Sequence, residues 1–450
     1  MKSMQDIERF ETEAKYPTVL ILGQSFNNSW GGGITLSGLF KGWPKDKLAV
    51  TSTGHLLMNA TTDICSIYYQ LGTDEYKWIF PFNLIQKGYR SGLLVFKKNA
   101  GSGLRKKSGA RYNLVTKYFY PFLQWTGLIH CASHIEISDK FKKWLSEYNP
   151  DILYLQTSSR ETVVFASELI SYLKIPAVIH MMDDWPSTIS FRGLFKNYWR
   201  KKIDSEFRIL LSRIDIFLSI SDAMSEEYFK RYKKRFIPFH NPIDLSRFSK
   251  TNNILIKSNT NYRILYIGRI GMANKNSIIS FAQSISHFTN STYTLNIDII
   301  TPDADTKASD ILRKMRNVSV LPPVSHSLVP SVLIEYDFLL LPLDFNQIGL
   351  RFAQYSIPTK ASEYMASGTP VIVYAPDKTA ISKFFTDNEC GYCITNYNRD
   401  RLINAIDVLI KNKELRKKIS EKAIYIARTR FNAEKVRLDF HNMIRSCYKI

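Results

Sequence analysis

Pro358 to Pro376 reads PTKASEYMASGTPVIVYAP and holds a helix start, a carboxylate, a helix end and a buried strand. Pro358 suits a first helical turn, because its missing amide hydrogen would be unbonded there anyway. Lys360 to Ser367 contains good helix formers with no Gly or Pro. Gly368 fits the position just past a helix end, and Pro370 stops continuation. Val371-Ile-Val-Tyr is short, apolar and rich in β-branched residues, as a strand covered on both faces should be. The order puts Glu363 about one turn into the helix, at its positive end and near the carboxyl end of a sheet. Nucleotides and phosphates bind at such places in α/β proteins. On this segment alone, Glu363 equally reads as a first-turn acid complementing the helix dipole.

The same alternation extends through the chain. An early strand, Thr18 to Gly23, leads through a turn to Gly31-Gly32-Gly33 and a helix starting at Ile34. Strand, glycine loop and helix make a turn whose backbone amides can approach a ligand closely. The run is not GxGxxG, so it carries no dinucleotide fingerprint. Further strands are predicted at Ile152–Leu155, Ala177–His180 and Ile214–Ile220, with a helix over Glu161–Leu173. A second series restarts at Tyr262 and continues at Thr294–Thr301, Val318–Leu321 and Phe338–Leu341, and Glu414–Tyr448 reads as charged helices. Such alternation predicts parallel sheets in an α/β fold.

The chain has 450 residues, which favours two domains. The polar segment Lys250–Asn261 reads as the linker. This gives a first domain over 1–250, a second over 251–430 and a C-terminal helix over 431–450 that returns to the first domain. Both domains are expected to be Rossmann-like, their sheets facing across a cleft that holds the site.

Composition excludes several classes. The five cysteines are odd in number and scattered, which fits a reducing compartment. Cys390-Gly-Tyr-Cys393 stands alone, so no metal site and no cofactor are expected. The N-terminus has no apolar core of a secretory signal, and no run approaches the roughly 20 apolar residues of a membrane span.

A net charge of +21 calls for an acidic partner or a solubilising role. From Tyr76 to Ile135 there is no acidic residue but ten basic ones: Lys77, Lys87, Arg90, Lys97, Lys98, Arg105, Lys106, Lys107, Arg111 and Lys117. Tyr89, Phe96, Tyr118, Phe119, Phe122 and Trp125 interleave with them, which suits an anionic membrane surface. Two more basic clusters run through Phe195–Lys202 and Lys230–Arg235. No zinc-finger, RNA-recognition or helix-turn-helix signature accompanies the charge, so nucleic acid is not expected as a partner. The reading is a cytoplasmic protein, peripheral at the inner face of the membrane.

Landmarks along the chain resemble the GT-B fold glycosyltransferases of the large retaining group called family 4. They are GGG at Gly31, PDILYLQ at Pro150, IPAVIHMMDDWP at Ile175, RIDIFLSIS at Arg213, HNPIDLSRF at His240, ILYIGRI at Ile264 with Lys275 following, YDFLLLPL at Tyr336, and PTKASEYMASGTPVI. Each is weak alone, and their order and spacing are specific. The resemblance implies a glycosyltransferase that moves a hexose from a nucleoside diphosphate sugar, UDP favoured over GDP, to a hydroxyl of a glycan precursor. It implies that Arg269 and Lys275 neutralise the diphosphate. Fixed cations there stabilise the charge that develops as the glycosidic bond breaks. Glu363 would accept hydrogen bonds from the ribose, and the backbone from Ser356 through Thr359 to Lys360 would meet phosphate. Gly32, Gly33 and Asn241 would line the donor site, and His180 and Asp183 would approach the acceptor hydroxyl or the donor sugar. Read structurally, His180 is a packed histidine and Asp184 beside Asp183 a cap.

Many members have a glutamate where this chain has Tyr355, with seven residues between it and Glu363, so sugar identity does not transfer. Asp303-Ala-Asp305 has metal-motif spacing but reads as a polar turn. Two alternatives stand beside the transferase. One is another GT-B enzyme, such as a nucleotide-sugar epimerase or a phosphorylase. The other is a non-catalytic basic protein that binds membranes.

Overall fold

The computed structural model describes residues 16–27, 31–80, 82–85, 88–96, 115–251, 260–290 and 292–448. The chain divides into two units. The first comprises the described residues of Met1–Ser219, Phe229–Ile237 and Arg437–Ile450; the second comprises those of Ile220–Tyr228 and Pro238–Val436.

Sixteen strands are described. They are β1 (Val19–Leu22), β2 (Leu48–Thr53), β3 (Ile67–Leu71), β4 (Tyr76–Trp78), β5 (Gly92–Leu93), β6 (Ser133–Ile135), β7 (Ile152–Leu155), β8 (Ala177–Met181), β9 (Ile216–Ser219), β10 (Ile237–Pro238), β11 (Asn261–Ile267), β12 (Thr294–Ile300), β13 (Val318–Leu321), β14 (Phe338–Pro342), β15 (Val371–Tyr374) and β16 (Tyr392–Ile394). The first sheet runs β10-β9-β8-β7-β1-β2-β3-β5. Its strands from β9 to β3 pair in parallel, and β5 joins antiparallel to β3. A small antiparallel pair joins β4 to β6. The second sheet runs β13-β12-β11-β14-β15-β16, all parallel.

Both sheets reverse their order beside their first strand, between β1 and β7 and between β11 and β14. Ligands bind at such switch points in open α/β sheets, beyond the carboxyl ends of the strands. The chemistry follows from burial. ILYL of β7, AVIHM of β8, FLLLP of β14 and VIVY of β15 are buried at every position, because helices cover both faces of a parallel sheet.

The decisive stretch folds largely as its residues require. The helix Lys360–Ser367 ends at Gly368 with φ of 72°, and β15 follows. Pro358 lies ahead of the helix rather than in its first turn. Thr359 is the cap residue, and the Pro358 carbonyl accepts the Ala361 amide at 2.9 Å. The glycine run departs further from expectation. The helix starts at Gly31, not Ile34, so the three glycines form its first turn rather than a loop. The cause at Gly33 is close approach, since a Cβ there would lie 1.9 Å from Asn27 Nδ2. The expected strand Ile214–Ile220 is trimmed to β9. Asp215 lies ahead of it, where its carboxylate accepts the Ala177 amide at 2.8 Å.

Of the basic stretch, Lys87, Lys97, Lys98, Arg105, Lys106, Lys107 and Arg111 lie outside the described residues, as does most of the expected linker. Among the described residues no helix is long and apolar enough to cross a membrane.

Candidate active site

The second unit gathers most of the expected donor residues around the carboxyl end of β11. Gly268 follows that strand with φ of 137°, a conformation side chains rarely adopt. A Cβ at 268 would also sit 2.4 Å from Lys360 Nζ, so the backbone demands glycine and a side chain there would push the lysine's tip aside. Lys360 is the first residue of its helix, and its ammonium lies 4.1 Å from the centre of the Tyr266 ring. Desolvation pushes the amine down to about 7, and the charge of Glu363 opposes the shift. The cation therefore sits where it is costly to charge, which prepares it for an anion.

Arg269 is exposed, and its carbonyl is gripped by the Tyr266 hydroxyl and by Asn274 Nδ2. The Ile270 amide donates to the Asp303 carboxylate at 2.9 Å. Asp303 thus holds the loop that carries Arg269, and the Asp303-Ala-Asp305 segment is the turn its residues suggest. Lys275, also exposed, opens the helix Lys275–Ser286. The amides behind it are already taken. Buried Asp344, just beyond β14, accepts the Ser277 amide at 2.7 Å and Asn276 Nδ2 at 2.8 Å. A carboxylate at a helix N-terminus satisfies orphan amides and the dipole together. Lys275 thus offers its side chain rather than a vacant helix start.

Glu363 lies in the first turn of its helix, mostly buried. Its Oε1 is 3.2 Å from His326 Nε2 and 3.7 Å from Arg247 Nη1. Asn241 Nδ2 donates to the Thr359 carbonyl at 3.3 Å and to Ser362 Oγ at 3.4 Å, which ties its loop to the start of the same helix. The Ser356 amide donates to the Ala353 carbonyl, while its hydroxyl is buried without a partner among the described residues. Tyr364 fixes the helix against the sheet, its hydroxyl accepting the Ile267 amide at 3.1 Å.

Sequence reasoning missed Arg247, His326, Tyr266 and Asp344. Arg247 is the last residue but one of the HNPIDLSRF landmark, where Asp244 Oδ1 shapes the turn by accepting Ser246 Oγ at 2.6 Å. Asp344 is the first charge after an apolar strand at the switch point, a signal legible in YDFLLLPLD. His326 lies in PPVSHSLVP and carries no local signal.

In the first unit the expected residues part company. His180 lies within β8, 1% exposed, with Nδ1 2.6 Å from the Tyr154 hydroxyl. Burial pushes its ring down to about 3 against a weaker opposing effect of the Ser219 backbone, so it stays neutral at ordinary pH. It is packed inside the sheet rather than set at the sheet's rim. Asp184 is buried and bridges both its oxygens to Arg231, at 2.9 Å each. Its neighbour Asp183 is exposed beyond the end of β8. The protein mass around it, and then the charge of Asp184, raise its carboxyl above the usual range. Gly32 and Gly33 lie in the first helical turn after the β1 loop, packed against Gln24 and Asn27.

Burial pushes both Cys390 and Cys393 thiols up, Cys390 to about 12, so neither is primed as a thiolate.

Residues 307–425 match the family described as Glycosyl transferases group 1. The chain carries a group 1 domain. That domain contains His326, Ser356, Thr359, Lys360 and Glu363. No curated protein matches the sequence. Solved structures share the fold across almost the whole chain. HepE of Anabaena, solved in complex with UDP and glucose, is 13% identical, with a TM-score of 0.59 over 96% of this chain and 100% of its own. Sucrose-phosphate synthase of Thermosynechococcus elongatus is 12% identical, with a TM-score of 0.61 over 96% and 99%. WaaG, a glycosyltransferase involved in lipopolysaccharide biosynthesis, is 12% identical, with a TM-score of 0.55 over 95% and 99%. The fold is therefore that of GT-B glycosyltransferases, two Rossmann-like domains, and with the group 1 domain it supports a glycosyltransferase.

Proposed function

We propose that the protein is a retaining glycosyltransferase of family 4. It would move a hexose from a nucleoside diphosphate sugar to a hydroxyl of a lipid-linked glycan precursor, in surface polysaccharide or glycoconjugate assembly. The observation that carries this reading is the group 1 domain with Glu363 in the first turn of its helix, beside the Gly268 turn and Lys360. UDP is favoured over GDP because HepE was solved with UDP and with UDP-glucose.

Arg269, Lys275 and Lys360 hold the diphosphate, and Glu363 takes the ribose hydroxyls in place of its present partners. As the glycosidic bond breaks, charge grows on the leaving phosphate, and these cations stabilise that state more than the ground state. The acceptor attacks from the face the leaving group departs, so configuration is kept. The departing phosphate helps take the acceptor proton, and Asp183 orients the hydroxyl. The exposed aromatic residues Tyr118, Phe122 and Trp125, with Lys117, support a place at the inner membrane face.

Calorimetric titration with UDP and GDP, beside Glu363→Gln, tests the donor site. Saturable binding of UDP, weakened in the variant, is expected. Absence of binding to folded protein by either nucleotide would overturn the reading.

A further inference from the structure

The helix Lys196–Leu211 has two working faces. Trp199, Ile203, Phe207, Leu210 and Leu211 are buried. Asn197, Arg200, Lys201 and Asp204 follow the i, i+3, i+4, i+7 spacing and share another face. With Ser187 and Arg231, that face lines an open recess of about 570 Å³. This lies within the roughly 300–1,000 Å³ of small-molecule sites.

The recess is cationic and braced. Arg231 is held by both oxygens of buried Asp184, and Asp204 is taken by Arg208 at 2.8 Å. Arg200 and Lys201 pair with no carboxylate among the described residues, which leaves positive charge facing the opening. Both walls are fixed. Arg160 clamps Glu206 of the same helix at 2.7 and 2.6 Å, and the Asp184–Arg231 pair fixes the other wall. A guanidinium and an ammonium with an amide beside them match the oxygens of a phosphate. Asp184, which pins Arg231, is the chain neighbour of the open carboxylate of Asp183. Leu194, Phe195 and Tyr198, at the start of the same segment, are exposed and apolar.

We propose that this recess seats a phosphate or diphosphate group of the acceptor, a role that rests on the transferase reading above. The exposed apolar side chains at the start of the same segment favour a phosphate carried on a lipid.

The test uses the full chain with UDP added first, so that the donor site is filled, and titrates inorganic pyrophosphate. The variants are Arg200→Ala/Lys201→Ala and, as a charge-matched control, Lys413→Ala/Lys417→Ala on the helix Lys413–Arg430. Pyrophosphate affinity should fall about tenfold or more in the first and hold in the second, as loss of charge-assisted bonds requires. Equal binding in all three proteins, or no saturable binding to the native one, would overturn the recess. Sedimentation with phosphatidylcholine vesicles, with and without phosphatidic acid, separates the sources. Loss of vesicle binding only in the Arg200/Lys201 variant supports a lipid phosphate, and equal loss in both variants removes the lipid. UDP affinity should be the same in all three proteins; its absence would sink the transferase reading and leave the recess result standing.

Discussion

Six strands of the first sheet, β3-β2-β1-β7-β8-β9, repeat the order of the second, yet the two sheets place different chemistry at their carboxyl ends. In the second unit the ends of β11 and β14 carry Gly268, Arg269, Lys275 and Asp344, with Lys360 and Glu363 on the helix ahead of β15. Cations are poised there; Asp344 is taken up by the helix start behind Lys275, and Glu363 has Arg247 and His326 beside it. In the first unit the end of β8 exposes one carboxylate, Asp183, and buries the other with Arg231. Topology supplies the place, and side chains decide which charge occupies it.

The first way to break this comparison is to remove the partner that hides Asp184. Arg231→Ala should cost about 3–5 kcal/mol, because a buried carboxylate loses both charge-assisted bonds of its ion pair. Denaturant unfolding measures it, and unchanged stability would mean the pair does not separate the two aspartates. Next come the exposed cations. Arg269→Ala or Lys275→Ala should lower kcat about 10²–10³-fold, the usual loss of one stabilising donor, with stability nearly unchanged. Turnover retained in both would move the chemistry away from β11.

Gly268→Ala should cost about 1–3 kcal/mol through backbone strain and weaken UDP binding by displacing Lys360. Gly271→Ala, three residues on, is the control. A Cβ there meets nothing within 4 Å, and the change should stay within about 0.5 kcal/mol.

The smallest effect is a pH dependence. Lys360 falls from 10.5 to about 7 on folding, so between those values the unfolded chain binds more protons. Stability from this group is therefore least below pH 7 and rises as pH increases through the window. A bound diphosphate raises the amine again, so binding takes up a proton above pH 7. UDP affinity should drop several-fold from pH 7 to 9, and the drop should shrink in Lys360→Arg, which stays charged. Calorimetry in buffers of different ionisation enthalpy reads the proton directly. Equal slopes in both proteins would remove Lys360 from the phosphate.

Local features were legible wherever one residue type satisfies one local rule. Gly368 ends its helix with the positive φ the position needs, and VIVY becomes β15 because its largely apolar, β-branched residues suit a strand covered on both faces. Asp303 read correctly as a turn residue. The glycine run did not, because Gly33 is dictated by the approach of Asn27, which no local rule reveals.

By itself, then, the sequence determined the alternation of strands and helices, the parallel sheets and the location of Glu363 near a helix start. These depend on hydrophobic period, turn chemistry and neighbours within a few residues. Only the tertiary structure decided that His180 is enclosed while Asp183 stays open, and that Asp344 fills the helix start behind Lys275. It also decided that Glu363 meets Arg247 and His326. Those outcomes depend on side chains tens to more than a hundred residues apart, brought together by the strand order and by the cost of burying a charge alone.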